Sequence, residues 1–241
     1  MTKTATMVAW NRPEYFEPVI ESLSKNDWYD YKLFIQLEPS EPDIQQKMLD
    51  ICKSIDFVPT DVHVNRTQLG VNFNNYYLIE RMIKEEGSEF NIHLEEDVKL
   101  SPDAIKMAEW FYNYEKRDDY LFCVFRQDNN DLETPLKMNE VKKFHPWGWC
   151  FNTQKWTDHI KPRWKDYQGK FRNGVMRREG SWDFSVNWLI KDNPQFKALM
   201  PAVSRAEPIG QWGIFSNPTT FAQNHAFKYI NNKDHEGEFH V

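Results

Sequence analysis

Four short runs rich in β-branched and aromatic residues, each followed by apolar residues at helical spacing, fill the first hundred positions and restrict the chain more than any other feature. Thr4 to Trp10 reads as a strand closed by Asn11-Arg12-Pro13, after which Tyr15, Phe16, Val19, Ile20 and Leu23 recur on one helical face. Tyr31 to Leu37 is a second strand, ended by Glu38-Pro39-Ser40-Glu41-Pro42, and Met48, Ile51, Cys52 and Ile55 line the next helix. Val62-His63-Val64 is a third, before a helix through Tyr76, Tyr77, Ile79, Met82 and Ile83, and Phe90 to Leu94 is a fourth. This alternation predicts an α/β fold, with a mostly parallel central sheet covered by helices on both faces. In such sheets ligands gather at the carboxyl ends of the strands.

Beyond residue 100 the pattern loosens. Ser101-Pro102-Asp103 reads as a helix cap, Leu121 to Phe125 and Trp149 to Phe151 as strands, Asp183 to Ile190 as a helix, and the tail from Asn231 as polar and frayed. With 241 residues and 15% aromatics the chain can bury a sizeable core in one domain. The net charge of -6 argues against a surface that tracks a polyanion everywhere. Cys52, Cys123 and Cys150 form no zinc pattern and read as reduced, buried thiols. No run has the length of a membrane span or the form of a signal peptide, so the expectation is a cytoplasmic protein with no membrane partner.

Glu95-Glu96-Asp97 stands where the fourth strand stops. Three adjacent carboxylates repel one another unless a cation is near, and hard oxygen donors suit Mn²⁺ or Mg²⁺, which keep positions open for phosphate oxygens. A solvated turn before a helix explains the same residues about equally well when they are taken alone.

Four segments in order resemble the N-acetylglucosaminyltransferase I family: Met7 to Arg12; His93 to Val98 with Ser101-Pro102-Asp103; Trp147-Gly148-Trp149 with Trp156 and Lys161 to Trp164; and Ser181-Trp182-Asp183. Val203-Ser204-Arg205 is a weaker fifth match. The resemblance implies a GT-A (Rossmann-like) fold, a nucleoside-diphosphate sugar donor such as a UDP-sugar, a Mn²⁺ requirement, and transfer with inversion. It implies one domain over 1–241, with a nucleotide-sugar half at 1–100, an acceptor and catalytic half at 101–230, and a tail at 231–241. Carried over residue by residue, it gives Asp97 to the metal, Glu96 to the ribose and Glu95 to the donor sugar, although Glu96 stands where the family usually has Asp. It gives Arg12 to the nucleotide, Glu38 to the uracil ring, and Asp183 the role of general base.

The residues themselves leave alternatives. Arg12 also reads as a surface arginine after a strand, Glu38 as a turn carboxylate, and Asp183 as a helix N-cap. Trp147 and Trp149 offer stacking faces to an acceptor or pack in the core, Gly148 between them lets a ligand approach the backbone, and Trp182 packs on the sugar or raises the Asp183 pKa by excluding water. Asn72, Asn74 and Asn75 reach the nucleotide or form a polar helix face. Gly210 to Pro218 reads as a loop that closes over the donor, with Ser204 and Arg205 meeting the diphosphate and His225 as a second metal ligand.

The acceptor is left open. Lys161 to Arg178 carries seven basic residues (Lys161, Arg163, Lys165, Lys170, Arg172, Arg177 and Arg178), which suits an anionic acceptor such as a hydroxymethylated base in viral or phage DNA. A carbohydrate or glycoside acceptor competes with it. So does a non-catalytic domain that binds sugar nucleotides or carbohydrate. A nucleotidyltransferase is disfavoured, because no glycine-rich phosphate loop follows the first strand.

Overall fold

The computed structural model describes residues 2–164, 171–172, 175–176, 182–213, 216–225 and 233–241; the side chains of 171–172, 175–176 and 224–225 lie outside it. The elements expected from the first hundred residues are all present: β1 (Lys3–Ala9), α1 (Pro13–Leu23), β2 (Tyr31–Leu37), α2 (Pro42–Lys53), β3 (Thr60–Val64), α3 (Gly70–Glu86) and β4 (Phe90–Glu95). Local chemistry explains their limits. Pro13 and Pro42 open α1 and α2 at positions where a missing N–H costs nothing. Gly87, with φ of 61°, closes α3 in the left-handed conformation.

The later elements are β5 (Val98–Leu100), α4 (Ala104–Asn113), β6 (Phe122–Val124), β7 (Met138–Val141), β8 (Trp149–Asn152), a short α5 (Thr153–Lys155) running into a π-helical turn, the two-residue strands β9 (Phe171–Arg172) and β10 (Val175–Met176), α6 (Trp182–Asp192), β11 (Ala198–Pro201), β12 (Ala206–Pro208) and α7 (Pro218–His225). Eight of the described strands form one sheet in the order β3-β2-β1-β4-β8-β6-β11-β7. β1 to β4 are parallel, β6 is parallel to β11, and β8 and β7 run against their neighbours. The expectation of a mostly parallel α/β sheet therefore holds. β5, β7, β11 and β12 went unforeseen, since strands of three or four residues carry too little alternation to read.

Two apolar clusters form the core. One joins α1, α2 and α4 to the sheet through residues such as Phe16, Ile35 and Phe111; the other joins α3 and α6 through Met82, Trp149, Trp156 and Trp182. The tail corrects the sequence reading. His240 bridges Lys137, Phe239 is buried beside Trp110, and His235 Nδ1 lies 3.2 Å from Asp103 Oδ2, so residues 235–240 are anchored rather than frayed. A single buried aromatic outweighs the polar residues around it. Cys52, Cys123 and Cys150 are buried free thiols, as expected. No described helix is long and apolar enough to cross a membrane.

Candidate active site

The acidic triplet lies at the carboxyl end of β4, between the ends of β1 and β8. Each neighbour contributes. β1 delivers Arg12, whose Nε donates to Glu96 Oε1 at 2.7 Å and whose second nitrogen lies 2.9 Å from Asp97 Oδ2. On the other side His93 is level with Trp149, and continuing that antiparallel register brings Trp147 level with Glu95.

The three carboxyls differ in environment. Glu96 is buried, and its oxygens accept from the Trp10 amide and from Arg12, so it braces Arg12. Burial raises its pKa, and Arg12 opposes the rise. Glu95 is held well above the usual carboxylate range, first by burial and then by the charges of Asp97 and Asp183. Among the described residues its carboxyl accepts no hydrogen bond. Asp97 is half-buried, with Oδ2 turned to Arg12. Burial alone would lower the guanidinium, but Asp97 and Glu96 more than offset it and hold Arg12 above its ordinary value.

Asp183 lies in the first turn of α6, one residue inside its start, so it is not the helix cap. Its charge acts on Glu95, so the triplet and α6 converge on one place although 86 residues separate Asp97 from Asp183 in the sequence. Trp182, the residue before it, is buried against Trp164 at 4.7 Å with the rings nearly parallel, and against Trp149 and Phe144. That packing fixes the start of α6. It leaves Trp182 and fully buried Trp149 without a free face for a sugar, so both are core residues. Gly148, with φ of 77°, is required because a Cβ there would come within 3.1 Å of the Phe125 ring. Trp147 is the half-buried ring at this edge, stacked on His145 with Arg126 over it.

Several residues expected at the ligand serve the fold instead. Glu38 is buried and accepts from the Leu69 and Gly70 amides at 2.8 and 2.9 Å, which caps α3 and takes the oxygens a uracil would need. Arg205 and Asp103 are both 0% exposed and 2.8 Å apart, and the same guanidinium donates to the Val203 and Pro135 carbonyls. It does not reach a diphosphate. Asp103 accordingly serves this pair and makes no side-chain cap on α4. Ser204 is buried and donates to the Ala206 carbonyl. Asn72, Asn74 and Asn75 are buried too: Asn72 accepts from the Trp164 ring N–H and the Trp182 amide, Asn74 from Gln36 and Asn65, and Asn75 is 2.8 Å from His93 Nε2. Because the Asn75 amide donates to Val71, its oxygen must accept, so His93 carries its proton on Nε2 and takes one from Thr6 on Nδ1.

His225 ends α7, but its side chain lies outside the described residues, as do Ser181 and Lys165, Lys170, Arg177 and Arg178 of the basic run; for Arg172 only the backbone is described. The residues the sequence reading missed surround Arg12. Its NH1 donates to the Trp212 carbonyl at 3.1 Å, its guanidinium lies 5.4 Å over the Tyr15 ring, and the Tyr15 hydroxyl accepts from the Trp212 amide. Tyr15 was legible only as an apolar helix position; Gly210 and Trp212 read as part of a loop, without their contacts to Asp97 and Arg12, and a Cβ on Gly210 would fall 2.1 Å from Asp97 Oδ2.

Among the described residues no three His, Cys, Asp or Glu side chains form a closed metal site. The donor set still fits a hard cation. Arg12 is one positive charge against Glu96 and Asp97, and Asp183 adds a further negative charge acting on Glu95, which is pushed toward its neutral form. Mg²⁺ and Mn²⁺ need only one or two carboxylates when phosphates complete the shell. Elsewhere a shallow cavity lined by Asp118, Tyr120, Lys155 and Lys197 opens at the amino ends of β6 and β11, the edge opposite the triplet.

No protein-family model matches the sequence, and no curated protein matches it. Solved structures do share the fold. The mannosyltransferase PcManGT from Pyrobaculum calidifontis, in complex with GDP-Man and Mn²⁺, superposes with a TM-score of 0.56 at 8% identity over 84% of this chain and 57% of that one. S. aureus TarS 1-349 gives 0.54 at 12% over 83% and 60%, and its complex with UDP-GlcNAc gives 0.52 at 12% over 89% and 62%. The chain thus has the α/β GT-A fold of glycosyltransferases, and it spans about three-fifths of the length of these structures.

Proposed function

We propose that this chain transfers a sugar from a nucleoside-diphosphate donor, a UDP-sugar in the first instance, to an acceptor hydroxyl with inversion at the anomeric carbon. The observation that carries the reading is that the start of α6 packs on the end of β4, with Trp182 against His93, so that the charges of Asp97 and Asp183 both act on the Glu95 carboxyl. An inverting transfer needs a charge-stabilising group at the leaving diphosphate and a base across the sugar from it. In this reading Asp97 would serve the leaving diphosphate and Asp183 would be the base.

In the proposed reaction the acceptor oxygen attacks the anomeric carbon as the bond to the diphosphate oxygen breaks. The hydroxyl proton passes to Asp183, and the bonding electron pair leaves with the diphosphate. Asp97 would hold Mn²⁺ or Mg²⁺, which supplies positive charge to the leaving oxygens. Glu95, which burial and the two neighbouring carboxylates hold well above the usual carboxylate range, would meet a hydroxyl of the donor sugar. Trp147, one strand away, borders the acceptor side. The fold-sharing structures that hold GDP-Man with Mn²⁺ or UDP-GlcNAc support a nucleotide-sugar donor.

A thermal-shift screen of UDP- and GDP-sugars with Mn²⁺ tests the reading. Ligand at a hundred times its Kd should stabilise the protein by about 2.7 kcal/mol. Asp97→Ala should abolish the shift, whereas Asp183→Asn should keep it and lose roughly 10²- to 10⁴-fold in transfer rate. If Asp183→Asn turns over like the wild type, Asp183 is not the base. If donor binds but is never consumed, the domain is a binding module.

A further inference from the structure

Arg12 is unusual in what its three nitrogens hold. Nε is fixed at 2.7 Å on Glu96, which the Trp10 amide also anchors; NH2 lies on Asp97 Oδ2, and NH1 lies on the Trp212 carbonyl. The same Asp97 oxygen is packed against the backbone of Gly210, and the Asp97 carbonyl accepts from the Ile209 amide at 2.8 Å. One oxygen therefore meets both the guanidinium and the segment that ends in Trp212. Trp212 is 62% exposed, and its only described polar contacts are with Arg12 and with Tyr15.

We infer that Arg12 is a resident counter-cation that stands in for the divalent ion and interlocks it with residues 209–213, so that ion and guanidinium compete for Asp97 and filling the site releases Trp212. The inference rests on the metal reading above. A divalent ion held by Asp97 would be opposed by a guanidinium on the same carboxylate through like-charge repulsion. Each cation therefore weakens the other's hold on Asp97. Glu96 retains Nε as a pivot, so Arg12 can leave Asp97 without leaving the site, and the bond from NH1 to Trp212 breaks in the same movement. Arg12 is in this sense a positioning residue: it ties the state of the acidic triplet to the state of the loop.

The test uses Mn²⁺ alone on the intact chain, with free ion followed by electron paramagnetic resonance and the Trp212 and Gly213 amides by hydrogen exchange. Arg12→Gln should bind Mn²⁺ roughly tenfold more tightly than the wild type. In the wild type Mn²⁺ should speed exchange at Trp212; in Arg12→Gln exchange should already be fast and indifferent to the ion. Arg12→Lys keeps the charge but cannot span both partners, so it should bind Mn²⁺ near the wild-type level while its loop exchanges fast. The Arg12→Gln/Glu96→Gln double variant guards against destabilisation from an unpaired Glu96: its loop exchange should match that of Arg12→Gln, while the loss of a negative charge beside the ion should bring its Mn²⁺ affinity back toward the wild type. Equal Mn²⁺ affinity in wild type and Arg12→Gln overturns this inference alone. An absence of Mn²⁺ binding in both overturns the metal reading, and this inference with it.

Discussion

Two arginine–carboxylate pairs, one at each end of the β5–β12 ribbon, show how burial separates a fold element from a working part. Arg205 and Asp103 are both 0% exposed, with the remaining guanidinium bonds given to backbone carbonyls and the remaining carboxylate bonds taken from Ser101 and His235. Arg12 is 25% exposed, and Asp97, one of its partners, is 21% exposed. A buried pair has no alternative to its partner, because separating it leaves an uncompensated charge out of water. A rim pair can exchange partners at little cost. The sequence places both arginines at the ends of strands, and only depth tells them apart.

Arg205→Met would break the comparison most severely. It should cost about 3–5 kcal/mol in denaturant unfolding, because Asp103 is left charged and buried, while any stabilisation by UDP and Mn²⁺ persists in the folded fraction. A destabilisation below about 1 kcal/mol would show that the pair is not buried as described.

His93 sharpens the contrast, since it is a buried titratable group with no counter-ion. Burial lowers its pKa to about 3. The unfolded chain therefore takes the proton first, and stability is whole above about pH 6.5 and lost as the pH falls toward 3. Between pH 7 and pH 4 that loss should be about 3 kcal/mol, and His93→Gln should flatten it. Asp128, which His145 and Lys143 hold well below the usual carboxylate range, contributes its own loss only at more acid pH. An unchanged pH profile in the variant would remove His93 from the account.

The smallest effect belongs to the rim. Trp212→Ala should alter stability by less than about 0.5 kcal/mol, because the contacts to Arg12 and Tyr15 use its backbone and its ring is exposed. A large loss would mean that the indole itself seals the loop.

The first half of the chain was legible because hydrophobic period and punctuation agree there: each strand of β1 to β4 ends at a proline, a glycine or a charged turn. The triplet and Asp183 were legible as chemistry at the ends of elements. What sequence could not show was depth. Glu38, Ser204, Arg205 and the three asparagines of α3 are the residue types a ligand site uses, yet each is turned inward to satisfy backbone or side-chain groups that the fold would otherwise leave bare. Trp149 and Trp182 likewise advertise stacking while packing on each other. The Arg12–Trp212 contact spans 200 positions, and no local pattern encodes such a pairing.

The anchoring of residues 235–240 carries a consequence for trimming. His235 completes the bonds to Asp103, and Phe239 lies beneath the Arg205 guanidinium at 5.3 Å. A chain cut back to residue 234 would lose both at once, leaving the innermost ion pair one contact poorer on its acid and stripped of the aromatic cover on its cation.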